Sequence, residues 1–141
     1  MRKIKKIIAV LLFVLGVLIA AAPFTFAAVC DVGEKVMKCH WTAQVELLLG
    51  IEIAVFAVVQ FIKEFVSFKA EGFARGTGFG LDFAIAAIGA GVILIPSVLI
   101  GVCAKPMMHC HSVTRPVLIV FGILVIVFSI VDLLINIKTE N

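Results

Sequence analysis

The chain has 141 residues, of which 63% are hydrophobic and only 15% are charged, and its mean hydropathy is +1.25. Soluble globular domains are roughly 45–50% apolar and about 25% charged, so this composition excludes that class and predicts an integral membrane protein. The formal net charge of +3 comes from basic residues that flank apolar segments. Because no basic stripe interleaves with aromatic residues, nucleic acid is not an expected partner.

Four apolar segments are long enough to cross a bilayer, which takes roughly 20 residues of helix. Backbone polar groups in lipid must be satisfied internally, so these segments are predicted to be helices rather than loops or open strands. The predicted fold is all-α: a single membrane domain, residues 1–141, that forms an integral membrane four-helix bundle. The predicted spans are 7–29, 43–68, 81–102 and 116–137.

Basic residues are concentrated at three places: before the first span, between the second and third, and after the fourth. The positive-inside rule therefore predicts that both termini and the glycine-rich loop 69–80 are cytoplasmic. The loops 30–42 and 103–115 are then expected outside the plasma membrane. The first span resembles a secretory signal peptide, with a basic start and an alanine-rich end, but we expect it to be retained as a helix.

An internal repeat supports that expectation. Pro23 precedes Cys30 by seven residues, and Pro96 precedes Cys103 by the same distance, so both pairs are separated by an offset of 73. Two copies of the motif Met-x-Cys-His follow the leading cysteines. The repeat predicts two tandem transmembrane hairpins that run in the same direction, as in parallel repeats of some membrane proteins. Each proline is expected to kink or end its helix.

The four cysteines suggest two kinds of site. In an oxidising compartment, one disulfide within each short loop is the simplest arrangement for Cys30, Cys39, Cys103 and Cys110, although four cysteines allow three pairings. The alternative is a copper or zinc site, or an exchangeable redox disulfide, because thiolate, thioether and imidazole groups are ligands of these metals. The residues of this alternative are Cys30, Met37, Cys39, His40, Cys103, Met108, Cys110 and His111.

Polar residues also interrupt the second span. Glu52 lies roughly 14 Å along the helix from Ala43 by helical rise, and a carboxyl group at that depth is a candidate for function, including proton-coupled transport. Gln44 and Glu46 lie nearer the outer end, where Glu46 is expected to pair with Arg115.

Two aspartates lie near the cytoplasmic surface and are expected to act as anchors. Asp82 is expected to cap the third span. Asp132 is expected to meet a basic residue such as Lys6 or Arg75. Small residues on the second span, Gly50, Ala54 and Ala57, predict a packing seam with a neighbouring helix.

The motifs resemble those of an uncharacterised prokaryotic membrane family, domain of unknown function 4418. The resemblance covers nearly the whole chain. It implies a small four-helix membrane protein and brings no established activity, substrate or cofactor. The residues that carry it are the runs from Met37 to Glu46, Ile95–Pro96 to Cys103, and Met108 to Ser112.

Together these features predict a multi-pass plasma-membrane protein that acts as a non-enzymatic accessory or structural subunit with a disulfide-fixed outer cap. The alternatives are metal binding or thiol redox at that cap, and proton-coupled transport through Glu52. No catalytic residue and no required cofactor is assigned. The expected partners are the lipid bilayer and either a larger membrane complex or further copies of the chain.

Overall fold

The computed structural model describes four parts of the chain: residues 2–27, 38–66, 71–101 and 110–140. Each part contains one α-helix that is long and apolar enough to cross a membrane. No β-strand occurs in these four parts. The prediction of an all-helical chain with four such helices is therefore confirmed. The helices are α1 (Arg2–Ala21), α2 (Lys38–Val66), α3 (Glu71–Leu94) and α4 (Arg115–Glu140).

The helices alternate in direction, so the contacts between them define two ends of a bundle. α1 packs mainly against α2, and α3 packs mainly against α4, while fewer contacts join the two pairs. We name the end that contains Thr42 and Thr114 the cap end, and the end that contains Gln60 and Asp82 the basal end. Both predicted extramembrane motifs precede helices that start at the cap end.

α1 and α2 cross closely at two glycines. A Cβ atom on Gly16 would lie 2.7 Å from the backbone nitrogen of Ala54, and one on Gly50 would lie 2.5 Å from the backbone nitrogen of Ala20. Side chains do not fit at these distances, so glycine is required at both positions. Lipid tails are as apolar as the helices, so such close contacts supply the van der Waals packing that holds the pair together. The packing seam predicted around Gly50 is part of this contact.

A second glycine crossing joins α3 to α4. A Cβ atom on Gly122 would lie 2.6 Å from Cγ1 of Ile93 and 3.0 Å from the carbonyl oxygen of Gly89. Gly89 follows Gly16 by 73 residues, and Gly122 follows Gly50 by 72 residues. Each half of the chain therefore contains one close crossing at equivalent positions, so the internal repeat extends from the loops into the helices.

Aliphatic side chains from all four helices fill the middle of the bundle. Leu12, Ile53, Ile85 and Leu118 have no exposed surface. Most of the remaining apolar surface faces outward, because only 28% of the apolar window in α2, α3 and α4 is buried. An outward surface of this kind is the surface that lipid solvates in a membrane protein.

Regular helix ends before both repeat prolines. Pro23 lies in a 3₁₀ turn at Ala22–Phe24 that follows α1, and Pro96 lies in a π-turn at Ile95–Leu99 that follows α3. Proline lacks a backbone N–H, and its ring clashes with the carbonyl group four residues earlier, which ends the α-helical hydrogen bonding. The expected effect of both prolines is therefore confirmed.

The glycine-rich segment 69–80 was predicted to be a loop, but the structure places residues 71 onward in the first turns of α3. Glycine disfavours helix by about 1 kcal/mol relative to alanine, which is why its density predicted a connector. At Gly78 the missing side chain has a packing role. A Cβ atom there would lie 2.7 Å from Nζ of Lys63, so glycine leaves room for an ammonium group from α2.

The glycine crossings predict a position-specific effect of alanine. Gly50→Ala is expected to lower the free energy of unfolding by roughly 1–3 kcal/mol, because the added methyl group overpacks the α1–α2 contact. Gly80→Ala is the matched control, since a Cβ atom there has nothing within 4 Å. Its stability is expected to stay the same or rise. Reversible unfolding in mixed detergent micelles, followed by circular dichroism, measures both; equal losses in the two variants would contradict the close crossing.

Candidate functional site

Two threonines connect the halves of the chain at the cap end. The hydroxyl group of Thr42, in the first turn of α2, donates a hydrogen bond of 2.9 Å to the carbonyl oxygen of Gly101. The hydroxyl group of Thr114, just before α4, donates one of 2.8 Å to the carbonyl oxygen of Ala27. The acceptors follow α3 and α1, where helix ends leave carbonyl groups without intrahelical donors. Each half thus supplies one buried donor to the other half.

A π-turn at Cys110–Thr114 precedes α4 and contains His111. In the first half, Cys39 and Thr42 are three residues apart, whereas Cys110 and Thr114 are four apart. A π-turn accommodates one additional residue within a helix, so it absorbs this insertion. As a result, both motifs precede an equivalent buried threonine even though their sequence offsets differ.

The structure describes only part of the predicted cysteine and histidine site. Cys39 belongs to the first turn of α2 and Cys110 to the π-turn before α4. His40 and His111 are half-buried at the same end, and the His40 ring contacts Trp41 edge to face at a centroid distance of 6.3 Å. Four further residues of the predicted site lie outside the described part of the chain: Cys30, Met37, Cys103 and Met108.

Among the described residues, no three His, Cys, Asp or Glu side chains are grouped as they would be around a metal ion. The disulfide and metal hypotheses therefore both stay predictions from the sequence. What the structure adds is the position of two helix starts that follow the motifs, which lie at one end and are held there by Thr42 and Thr114.

Glu46 is fully buried, with no exposed surface, one turn below Thr42 on the interior face of α2. The sequence predicted an ion pair with Arg115, and this prediction is wrong within the described residues: neither carboxylate oxygen of Glu46 has a hydrogen-bond partner there. Depth along the helix suggested the pair, but the helical face decides the contact, and Glu46 faces the bundle interior. A buried carboxyl group without a partner is energetically costly in either protonation state.

The other polar residues predicted on α2 face elsewhere. Gln44 is exposed near the cap end, where the helix leaves the apolar region. Glu52 is half-buried near the middle of α2, between the apolar interior and the outer surface. The proposed role of Glu52 in transport stays a prediction.

The basal end contains a polar cluster that draws on all four helices. Gln60 of α2 donates through Nε2 to Oδ1 of Asp82 on α3, and also to Oδ2 of Asp132 on α4 at 3.2 Å. Asn136 donates from Nδ2 to Oδ2 of Asp82 at 2.6 Å. Gln60, Asp82 and Asp132 are at most 6% exposed. These contacts join α3 to α2 and α4 inside the bundle, as buried polar networks do in membrane proteins.

Two further contacts complete the basal cluster. Lys5 of α1 donates to Oδ1 of Asn136 and forms an ion pair of 3.7 Å with Glu64. Ser129 donates to the backbone carbonyl group of Asp82. The cluster therefore links the start of α1 to the ends of α2 and α4.

The anchoring roles predicted for the two aspartates are wrong. Asp82 lies eleven residues into α3, so it does not cap that helix. Asp132 accepts from Gln60, while Nζ of Lys6 lies over the ring of Phe65 at 5.5 Å from its centroid. Arg75 has no described side chain.

A signal for the cluster existed in the sequence. Gln60 and Asp132 are 72 residues apart, the same offset as Thr42 to Thr114 and Gly50 to Gly122. Aligning the halves on their helices rather than on their cysteines would have placed Gln60 and Asp132 at equivalent interior positions. The offset of 71 between the cysteine motifs concealed this relation.

Comparison with known proteins gives one match. The model of a family described as Domain of unknown function (DUF4418) matches residues 12–135, which is most of the chain. The match spans all four helices and confirms the resemblance seen in the motifs. No curated protein and no solved structure matches the chain.

The threonine contacts predict a measurable link between the two halves. Thr42→Val and Thr114→Val are each expected to lower the free energy of unfolding by about 1 kcal/mol, because each leaves a carbonyl oxygen without its donor at nearly constant volume. Thr25→Val is the matched control, since its hydroxyl group is exposed and donates to Ala21 in the preceding turn. The same micelle unfolding assay compares the three; a control loss equal to the other two would contradict the role of the buried bonds.

Proposed function

The chain belongs to the DUF4418 family, and from that starting point we propose that it is a plasma-membrane protein of two tandem transmembrane hairpins with both termini in the cytoplasm. The first hairpin is α1 with α2, and the second is α3 with α4. The glycine crossing within each pair supports this division. The excess of basic residues near the basal end supports the cytoplasmic orientation of that end.

We propose that the protein is a non-enzymatic accessory or structural subunit that displays a rigid cysteine- and histidine-bearing cap outside the membrane. The observation that carries this proposal is the reciprocal pair of bonds from Thr42 and Thr114. Each bond fixes the helix start that follows one motif to the other half of the chain. Two loops of 30–42 and 103–115 are thereby held over one end of a small bundle.

Disulfides complete the proposed cap. Cys30 with Cys39, and Cys103 with Cys110, would each close a short loop in an oxidising compartment. A disulfide that closes a short loop typically contributes roughly 2–4 kcal/mol of stability. The threonine bonds below and the disulfides within the loops would then restrain the same two segments from both sides.

The outward apolar surface supports a role inside the membrane rather than on it. Large side chains exposed on this surface, such as Phe83 at 67% and Val98 at 78%, have no polar neighbour that would suit water. The proposed contacts for this surface are lipid, helices of a larger membrane complex, or further copies of the chain.

Metal binding or thiol redox at the same cap is the second candidate. It is favoured by His40 and His111, which directly follow the second cysteine of each loop and are half-buried at the cap end. Structural disulfides do not require an imidazole group beside them, whereas copper and zinc sites use both thiolate and imidazole ligands.

A free-thiol count separates the two candidates. Intact cells are treated with an alkylating reagent, and the purified protein is weighed by mass spectrometry. The disulfide-fixed cap predicts no label before reduction and labels on all four cysteines after reduction. Labels that appear without reduction, and increase after a chelator, would overturn the disulfide proposal in favour of metal ligation.

A single substitution then gives the pairing. Cys39→Ser is expected to release one thiol for labelling, and peptide mapping is expected to place that label on Cys30. His40→Ala is the matched control next to it, and the disulfide cap predicts that this variant stays unlabelled. A label in the His40→Ala protein would show that the imidazole group controls the state of the thiols, contrary to a purely structural cap.

A further inference from the structure

The basal cluster contains more acidic than basic groups. Lys5 and Lys63 supply two ammonium groups, while Glu64, Asp82 and Asp132 supply three carboxyl groups. Lys5 is paired with Glu64 at 3.7 Å, which leaves Lys63 as the cation facing two aspartates. Nζ of Lys63 lies beside Gly78, one turn of α3 before Asp82. One negative charge in this buried cluster is therefore uncompensated, which is costly in an apolar setting.

The hydrogen bonds of the cluster show the same shortage of donors. Oε1 of Gln60 and Oδ1 of Asp132 are buried acceptors without a donor among the described residues. Gln60 is only 5% exposed, and its Nε2 already donates to both aspartates, so the side chain points into the cluster. The Asp82 and Asp132 carboxyl groups are also within hydrogen-bonding reach of each other. Two carboxylates in such contact require a hydrogen between them.

We propose that Asp82 and Asp132 hold a single proton between them, in a binding site that all four helices build at the basal end. The proton supplies the missing positive charge. It also turns one carboxylate oxygen from an acceptor into a donor, so the two aspartates can bond to each other. Gln60 and Asn136 orient the pair by donating to its remaining oxygens.

The proton exchanges at the basal end. The side chains at the rim of the cluster are partly exposed there, Lys5 by 12% and Glu64 by 19%. Toward the cap, aliphatic side chains fill the interior, and Gln60 is about 21 Å from Glu46 by helical rise. The site is therefore one proton position open to one side. It does not depend on the cysteine cap, so either proposal can fail without the other.

Infrared spectroscopy of the full-length protein in lipid nanodiscs tests this site. A protonated carboxyl group gives a carbonyl stretch that an ionised carboxylate lacks. We expect Asp132→Asn and Asp82→Asn each to abolish the same single band at neutral pH. Removing either carboxyl group leaves the other one compensated by Lys63, and the shared proton is lost. Glu52→Gln and Glu46→Gln are the matched controls, and both are expected to keep the band.

Three results would overturn the proposal. The first is a band that persists in Asp82→Asn, which would mean that Asp132 is protonated on its own. The second is the loss of no band in either variant. The third is a wild-type band that disappears at constant pH when choline is replaced by Na⁺, which would mean that a metal cation occupies the site. If either variant fails to fold, titration of the wild-type band decides, and a site that holds one proton predicts loss of the band with rising pH in a single step.

Discussion

The constraint on which this structure depends is that lipid surrounds almost all of it. An apolar exterior gives the helices no hydrophobic reason to associate, so association must come from close packing and from buried polar contacts. The chain uses both, in different places. Glycines at 16 and 50, and at 89 and 122, bring the helices together within each pair. Polar contacts at the cap end and the basal end join one pair to the other.

The two ends differ in how far the internal repeat is kept. At the cap end the repeat is symmetric, because Thr42 and Thr114 make matching bonds to the opposite half. At the basal end it has diverged. Asp132 occupies the position equivalent to Gln60, and Asp82 the position equivalent to Ala9, 73 residues earlier. The divergence converts two neutral positions into a pair of carboxyl groups. This suits a symmetric cap with a structural role and an asymmetric site with a chemical one.

Much of the fold could be predicted from the sequence, because length and apolar content decide whether a segment spans a membrane. The four helices and the effects of Pro23 and Pro96 follow from such local rules. Asp82 and Asp132 could not be interpreted in that way. Both lie near predicted helix ends, where an anchoring role is the ordinary expectation, and only the rotation of α3 and α4 brings them together around Gln60. The same limit applies to Glu46, whose depth was evident but whose helical face was not.

Both proposals require that the cap end and the basal end face opposite sides of the membrane, with the cap outside. The most direct test uses a protein whose native cysteines are replaced by serine and which carries one new cysteine, at Thr25 or at Lys138. These two exposed positions lie at the cap end and the basal end. A membrane-impermeant maleimide applied to intact cells is predicted to label the Thr25→Cys protein, and to label the Lys138→Cys protein only after the cells are opened. Labelling of Lys138→Cys in intact cells, with Thr25→Cys protected, would contradict the orientation on which the account rests.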